Sequence, residues 1–342
     1  MEEIIDLRGM TTSEIVNLIV SLGQPAFRGR QIAKWLYERD GRSIAEMSDL
    51  PASLRQLLSE RASLVREEIL ATHVSDDGTK KFLLGLGDGE SVEAVLLPYE
   101  DRVSTCISSQ VGCAAGCTFC ATGKGGLRRN LTAGEIVDEV LTMQSKSDRR
   151  ISHVVYMGMG EPLLNLPQVL KSVFILNSEV GIAMRHITLS TVGIIPEIYR
   201  LAEENLQLTL AVSLHAPNDE LRRRLIPMAD RYPLSDLMIA CRKYGNSTGR
   251  SVTFEYMLIQ GVNDSMGHAA ELARLVRKKL CSVNLIPFNP VEGVAMRRPS
   301  SADVRAFAGV LKDAGVTVTQ RMERGKSISA ACGQLRRRIS EE

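Results

Sequence analysis

Four of the seven cysteines in this 342-residue chain, Cys106, Cys113, Cys117 and Cys120, fall within fifteen residues. Thiols gathered this closely point to a metal or redox site, and the odd total argues against a disulfide framework. Cys113-Ala-Ala-Gly-Cys117-Thr-Phe-Cys120 sets three thiols at spacings of three and then two residues, and Gly116 permits a tight wrap. Four thiolates would close a zinc site or an iron–sulfur cluster. Three leave one iron of a 4Fe-4S cube open to a small-molecule chelate, which can then receive an electron. Zinc is the competing reading, with a fourth ligand drawn from Cys106, His153 or His215. The spacing alone leaves both open. Cys241, on a helical face, and Cys281, at the start of a strand, read as small buried hydrophobes. Cys332 sits between Ala331 and Gly333, small neighbours that let other groups approach.

Polar residues recur where apolar runs end. Gly158-Met-Gly160-Glu161 follows the run 151–157. In a parallel sheet that is the carboxyl edge, where ligands bind. Glu161 offers an acceptor for an ammonium group, although a surface Glu on a tight turn explains the segment equally well. Ser190 and Ser213-Leu214-His215 end two further runs, and hydroxyls with an imidazole suit a ribose and an adenine. A satisfied buried histidine is the plainer account of His215. Asn289 ends another run and offers both donor and acceptor. Glu93, in Ser91-Val-Glu-Ala-Val-Leu-Leu97, shares a strand face with Val95 and Leu97, so it is partly buried or functional.

The elements that would carry these groups alternate. The pattern predicts strands over 151–157, 186–190, 208–214, 252–259, 283–286 and 316–321. It predicts helices over 131–144, 169–177, 196–203, 234–243, 268–280 and 302–314. Thr132, with Glu135 three residues on, makes a capping box. The fold class is therefore α/β, with a parallel sheet of about six βα units. A full barrel takes about eight, which favours a partial (β/α)6 TIM-like barrel. Residues 12–64 read as short helices with apolar faces at Ile15, Leu18 and Ile19, then Ile32, Trp35 and Leu36, then Leu54, Leu57 and Leu58. Trp35 is expected in the core. Asp49 is expected to cap the third helix, with Pro51 just inside it. Residues 66–98 read as extended, with turns at 74–79 and 85–89. Four segments result: a helical N-terminal accessory domain (1–65), a β-rich connecting extension (66–98), the barrel core (99–327) and a C-terminal segment (328–342).

Hydrophobic residues make up 44% and charged residues 24%, which excludes a disordered chain, a collagen and a coiled-coil rod. Lys+Arg 42 against Asp+Glu 40 nets only +2, so any basic surface must be local. Arginines do cluster, at Arg28/Arg30, Arg128-Arg129, Arg222-Arg223-Arg224, Arg297-Arg298 and Arg336-Arg337-Arg338. Grouped guanidinium groups suit an RNA backbone. No apolar run approaches the ~18 residues of a membrane span. The acidic start lacks a secretory pattern, so no membrane and a cytoplasmic location are expected.

The cysteine loop, with Phe119 before its last thiol, resembles that of the radical S-adenosylmethionine superfamily. Further segments narrow the likeness. They are Gln110-Val-Gly-Cys, Cys120-Ala-Thr-Gly, Arg129-Asn-Leu-Thr132, Met157-Gly-Met-Gly-Glu-Pro162, Ser213-Leu-His-Ala-Pro-Asn-Asp219, Asn284-Leu-Ile-Pro-Phe-Asn-Pro290 and Ala330-Ala-Cys-Gly-Gln-Leu335. Together they are similar to the RlmN/Cfr family of RNA adenine methyltransferases, nearly end to end. One departure is Ser327, where many members have Asp.

The resemblance implies a barrel of the radical SAM type, one 4Fe-4S cluster on Cys113, Cys117 and Cys120, and two S-adenosylmethionine molecules per turnover. It places S-adenosylmethionine against Gly160, Glu161, Ser190, Ser213, Leu214, His215 and Asn289. It makes Cys332 the methyl carrier, through an S-methylcysteine whose methylene radical adds to adenine. Glu93 is then the proton acceptor. Cys106 is the resolving thiol, leaving a transient disulfide with Cys332. The implied substrates are carbon 2 of adenosine 2503 in 23S rRNA, unassembled or protein-poor, and an adenosine in some tRNAs. Carbon 8 of the same rRNA adenosine is the Cfr alternative. The N-terminal segment and Cys120-Ala-Thr-Gly-Lys-Gly-Gly-Leu-Arg-Arg-Asn favour the RlmN type. An electron donor such as flavodoxin, a thiol reductant and a monomeric state complete the expectation. Two readings from other classes stand beside it: a zinc-stabilised RNA-binding module without catalysis, and a dithiol redox protein using Cys106 and Cys332.

Overall fold

A computed structural model of the chain describes residues 4–39, 41, 43–64, 67–277, 281–321 and 324–335. The N-terminal part holds β1 (Ile5–Asp6), α1 (Thr12–Ser21), α2 (Ala26–Tyr37), α3 (Ala52–Arg61) and β2 (Ala62–Ser63), with β1 and β2 paired in parallel. Thr11 caps α1 through a capping box with Glu14, satisfying two end groups of a ten-residue helix. Ile15, Ile19, Ile32 and Leu36 are buried between the helices. Pro51 stands at the cap of α3 rather than inside it. Asp49 is not that cap. Its carboxylate instead accepts the Trp35 indole N–H at 2.7 Å, so Trp35 is half-buried with its polar edge at the surface. Arg8, 1% exposed, joins this part to the barrel through an ion pair with Asp138 at 3.1 Å. Removing one partner of such a buried pair costs about 3–5 kcal/mol.

Three antiparallel strands follow: β3 (Glu68–Val74), β4 (Lys80–Gly85) and β5 (Ser91–Pro98). β5 pairs antiparallel with β6 (Val103–Cys106), the first barrel strand, so the extension continues the barrel's own sheet. After β6 the short hairpin β7 (Gln110–Gly112) and β8 (Leu127–Asn130) encloses the cysteine loop and the one-turn helix α4 (Ala121–Lys124).

The alternation then runs α5 (Ala133–Gln144), β9 (His153–Tyr156), α6 (Leu166–Ser178), β10 (Ile187–Thr191), α7 (Ile195–Glu203) and β11 (Thr209–Ser213). It continues with α8 (Asp219–Leu225), α9 (Leu234–Thr248), β12 (Val252–Leu258), α10 (Met266–Val276), β13 (Cys281–Pro287), α11 (Ser301–Asp313) and β14 (Thr317–Gln320). The capping box expected at Thr132 is present. The ten-stranded sheet has the order β14-β13-β12-β11-β10-β9-β6-β5-β4-β3. Every ladder from β6 to β14 is parallel. The expected six βα units are therefore there, closed off by β14. Residues 278–280, part of the expected helix over 268–280, lie outside the described residues.

Candidate active site

The carboxyl ends of the parallel strands converge on an open cavity of about 750 Å3. Cys113, Cys117 and Cys120 line it from the loop after β7. Two backbone features shape that loop. Gly112 has φ of +80°, and a Cβ there would overlap the Gly126 carbonyl oxygen. The Cys113 amide donates to that same carbonyl at 2.9 Å, tying the loop's entry to its exit. Burial pushes the Cys113 thiol up to about 12 and holds the Cys117 thiol well above its usual range. Thiols in that setting become ligands when a metal centre supplies the positive charge. Among the described residues no three His, Cys, Asp or Glu side chains converge on one point as a single ion requires. All three thiols face one cavity, and Cys120 and Cys113 are near enough to raise the Cys117 thiol further, as neighbours holding irons of one cluster would be. Of the fourth zinc ligands considered, His153 begins β9, at the sheet's other end, and stacks on His186 at 4.1 Å. Cys106 opens onto a different cavity. His215 lines the cysteine cavity, but its Nδ1 accepts the Met257 N–H at 3.0 Å.

The same cavity is lined by Gly160, Glu161, Ser190, Ser213 and His215, brought together from the ends of β9, β10 and β11 as expected. Gly158 and Gly160 also have a packing reason. A Cβ on Gly158 would come within 2.6 Å of the Ile107 carbonyl oxygen, and one on Gly160 within 2.6 Å of the Ser109 hydroxyl. The turn that follows β9 therefore presses directly on the chain leading from β6 to β7. Glu161 is 2% exposed and accepts the Leu163 and Val192 amides at 3.0 and 2.7 Å. Burial raises its carboxyl to about 7 against the pull of those bonds. With Thr191 also hydrogen-bonded to it, the carboxylate keeps about one of its four acceptor sites for an ammonium group, whose charge would hold it ionised. His215 has φ of +55° and meets Phe119 edge-on at 4.9 Å. Burial holds its imidazole down to about 3, hence neutral.

Two expected contacts differ in position. The Leu214 side chain is fully buried and is not among those lining the cavity; its amide donates to the Glu255 carbonyl at 3.0 Å. Asn289 lines the neighbouring cavity, where its Nδ2 lies 3.5 Å from the Cys332 carbonyl.

That second cavity, of about 570 Å3, is lined by Cys106, Cys332, Val95 and Arg321. Cys332, Met157, Ile286 and Arg321 face both cavities, so Cys332 stands at the partition. Burial pushes the Cys106 thiol up to about 12, and Arg321 draws it back down. Burial likewise raises the Cys332 thiol, again opposed by Arg321. The Cys332 segment is held by contacts from distant parts of the chain. The Gly333 carbonyl accepts from Ala121 at 2.8 Å, the Leu335 carbonyl from the Thr122 hydroxyl at 2.6 Å, and the Pro290 carbonyl from Gln334 at 2.7 Å. Ser327, the residue that departs from the family pattern, meets the Ser75 hydroxyl at 2.9 Å. Glu93 is 3% exposed and paired with Lys81 at 2.9 Å.

Sequence reasoning missed Lys81, Arg321 and Glu255. Lys80-Lys81 reads as a solvated pair, and Arg321 as the polar end of a strand. The period-two alternation puts Lys81 on the face opposite Phe82 and Leu84, so nothing local signalled its burial. The arginine clusters also divide. Arg222 is fully buried, with Nη2 on the Val192 carbonyl at 2.5 Å, and is structural. Arg129 is held by Asp88 at 2.6 Å and Glu135 at 2.8 Å. Arg30, Arg128, Arg223, Arg224 and Arg297 are exposed. Arg336, Arg337 and Arg338 lie outside the described residues. No described helix is long and apolar enough to cross a membrane.

Comparison with known proteins gives the same assignment. Residues 107–273 match the model of the Radical SAM superfamily. Residues 5–64 match a ribosomal RNA large subunit methyltransferase N-terminal domain. A relative from Thermosynechococcus vestitus is 52% identical, covering 96% of this chain and 98% of its own length. One from Moorella thermoacetica is 51% identical, covering 97% of each. Both bear the name "Probable dual-specificity RNA methyltransferase RlmN". The crystal structure of a radical SAM methyltransferase from Sphaerobacter thermophilus superposes with a TM-score of 0.94 at 46% identity, over 97% of this chain and 99% of that one. At this likeness over nearly the whole of both chains, the chain belongs to the RlmN family of the radical SAM superfamily, with that superfamily's 4Fe-4S cluster and S-adenosylmethionine as its cofactors.

Proposed function

We propose that the chain methylates carbon 2 of an adenosine in 23S rRNA, and of an adenosine in some tRNAs, carrying the methyl group on Cys332. The observation that carries this reading is Cys332 at the partition between two cavities, one lined by the three loop cysteines and the other by Cys106. A residue so placed can be loaded from one side and relieved from the other.

Carbon 2 of adenine is electron-poor, so a polar attack on a sulfonium methyl fails there. When bound, the cluster and S-adenosylmethionine supply the methyl group and the radical chemistry that makes it reactive. Cys113, Cys117 and Cys120 would hold the cluster, leaving one iron for the methionyl group. Glu161 would accept the ammonium of that group, with Ser190, Ser213 and His215 along the rest of the ligand. Asn289 would position the Cys332 loop, and Leu214 would contribute its backbone. The neutral imidazole of His215 adds no like charge beside a sulfonium. Glu93 takes the proton from carbon 2 once the Cys332-borne carbon is attached to it, and the adduct's one unpaired electron would return to the cluster, leaving a closed-shell thioether. The Cys106 thiol then gives up its proton and attacks the Cys332 sulfur. The S–S bond forms, the C–S bond breaks, and its electron pair stays on carbon, which takes a proton to become the methyl group. An external thiol reduces the disulfide.

Segment 1–65 serves as an RNA-binding accessory domain, 66–98 as the extension, 99–327 as the core and 328–342 as the carrier of Cys332. Exposed arginines near the rim hold phosphates. The reading extends to a cytoplasmic monomer with a flavodoxin-type electron donor. The test is to load the protein anaerobically with iron and sulfide, supply S-adenosylmethionine, reductant and protein-free 23S rRNA, and map the methyl group. Methylation at carbon 2 is expected. Methylation at carbon 8 moves the chain to the Cfr activity, and tight binding of one zinc with no iron–sulfur absorption ends the radical reading.

A further inference from the structure

Lys81, bonded both to Glu93 and to the segment that carries Cys332, is used by no step above. It lies on β4, the middle strand of the extension, where a lysine would ordinarily reach solvent. Instead it is 5% exposed. Lysine is rarely buried unless paired, and two partners account for its place here. Its Nζ is 2.9 Å from Glu93 Oε1. It also donates to the Ser329 carbonyl at 3.4 Å.

The register explains the first contact. Lys81 is opposite Val95, and Leu83 opposite Glu93, across the antiparallel β4–β5 ladder. Lys81 and Glu93 are therefore diagonal neighbours on one face, within reach of a long side chain. The second contact comes from the chain terminus. Ser329, three residues before Cys332, has φ of +51°, a conformation that non-glycine residues seldom hold without support. The same hairpin also grips that segment elsewhere, and the Asp77 carbonyl accepts from Arg324 at 3.2 Å. Asp77 accepts the Gly325 amide at 3.1 Å, and the Ser75 hydroxyl meets Ser327 at 2.9 Å. A Cβ on Gly325 would crowd Thr79 and Ala330, so the two chains are packed closely. The β3–β4 hairpin is thus a cradle for the segment that carries Cys332.

We propose that Lys81 is a positioning residue that holds the Glu93 carboxylate and the Cys332 segment in one arrangement, coupling the proton acceptor to the methyl carrier. The inference rests on Glu93 being the proton acceptor. A single ammonium with three N–H donors can serve both partners at once. The Glu93 carboxylate and the Ser329 carbonyl then share one donor, so displacing either partner disturbs the other. Lys81 touches neither cofactor nor base, so its loss acts through Glu93 and Ser329.

The experiment uses the cluster-loaded protein with rRNA and compares Lys81→Met, Lys81→Arg, Glu93→Gln and the double variant. Iron content and S-adenosylmethionine binding are measured first, then methylated product and protein–RNA crosslink through Cys332. Lys81→Met should keep its iron, lose at least about tenfold in product and accumulate crosslink, as Glu93→Gln does. Lys81→Arg should recover part of the turnover. The double variant removes both charges of the ion pair, so neither is left buried without the other, which keeps the test open if Lys81→Met fails to fold. It should trap as much crosslink as Glu93→Gln alone, because residues acting as one unit are not additive. Wild-type turnover in Lys81→Met, or a double variant that traps several-fold less crosslink than Glu93→Gln, overturns the proposal. Absence of crosslink in Glu93→Gln itself, with Cys106→Ala still trapping, removes the proton-acceptor reading beneath it.

Discussion

Cys106 is registered directly opposite Val95 across the β5–β6 ladder, so it shares a sheet face with Glu93, two residues along the same strand from Val95. The proposed resolving thiol and the proposed proton acceptor therefore come from adjacent strands of one sheet. Cys332, from the last described segment, lines one cavity with Cys106 and Val95. Two partners are thus rigid and the third is carried on a loop, an arrangement that suits a carrier which must be loaded on one side and relieved on the other.

That division of labour predicts how each thiol fails. Cys332→Ala should keep its iron and yield no methylated RNA, having no carrier. Cys106→Ala should attach to RNA and stall, giving a crosslink that mass spectrometry of a nuclease digest assigns to Cys332. Normal turnover by Cys106→Ala, or a crosslink at Cys241 or Cys281, would contradict the assignment.

The cluster loop should depend on its glycine as much as on its thiols. Gly112→Ala leaves Cys113, Cys117 and Cys120 intact but drives a Cβ into the Gly126 carbonyl at φ of +80°. A strained position of this kind costs about 1–3 kcal/mol. Iron bound per chain should fall well below that of the wild type, approaching the near-zero content expected of Cys117→Ala. Full iron content in Gly112→Ala would show that the loop reaches its geometry by other means.

Arginines that form one kind of cluster in the sequence should behave as two classes. Exchange of exposed Arg223 or Arg224 for Gln should reduce the slope of log affinity for RNA against log salt by roughly 0.7–0.9 each. Arg129→Gln removes the contacts to Asp88 and Glu135. It should cost about 1–2 kcal/mol of stability, as charged hydrogen bonds do, and leave the slope alone. The check is a salt titration of RNA binding beside a denaturant melt. An unchanged slope in Arg223→Gln and Arg224→Gln would take that cluster out of the RNA surface.

His215 should leave a mark on stability against pH. Folded, its imidazole is held down to about 3, against a usual value of 6.5. As pH falls below about 6.5 the unfolded chain binds a proton that the folded chain refuses, so stability is lost, by up to about 1.4 kcal/mol per pH unit. His215→Asn tolerates the left-handed backbone and lacks this proton. The stability of wild type minus variant should therefore shrink by about 1 kcal/mol between pH 7 and pH 5.5. A difference that stays constant in urea titrations would mean that the imidazole is protonated in the folded protein.

Some of this architecture was legible in the residues alone, because it rests on local rules. Apolar runs alternating with capped amphipathic stretches revealed the six βα units, since periodicity and capping are properties of a few consecutive residues. The spacing of Cys113, Cys117 and Cys120 announced a shared centre for the same reason. Tertiary structure decided what depends on partners far apart in sequence. It turned Arg222 inward and engaged Arg129 with carboxylates, so that arginine clustering alone did not define a surface. It joined the extension to the barrel sheet, giving Glu93 and Cys106 a common face. It also set Lys81 between Glu93 and Ser329, 248 residues further along the chain from the lysine. A buried charge is stable only where its counter-charge and hydrogen-bond acceptors converge, and no local pattern around Lys80-Lys81 records where those acceptors will come from.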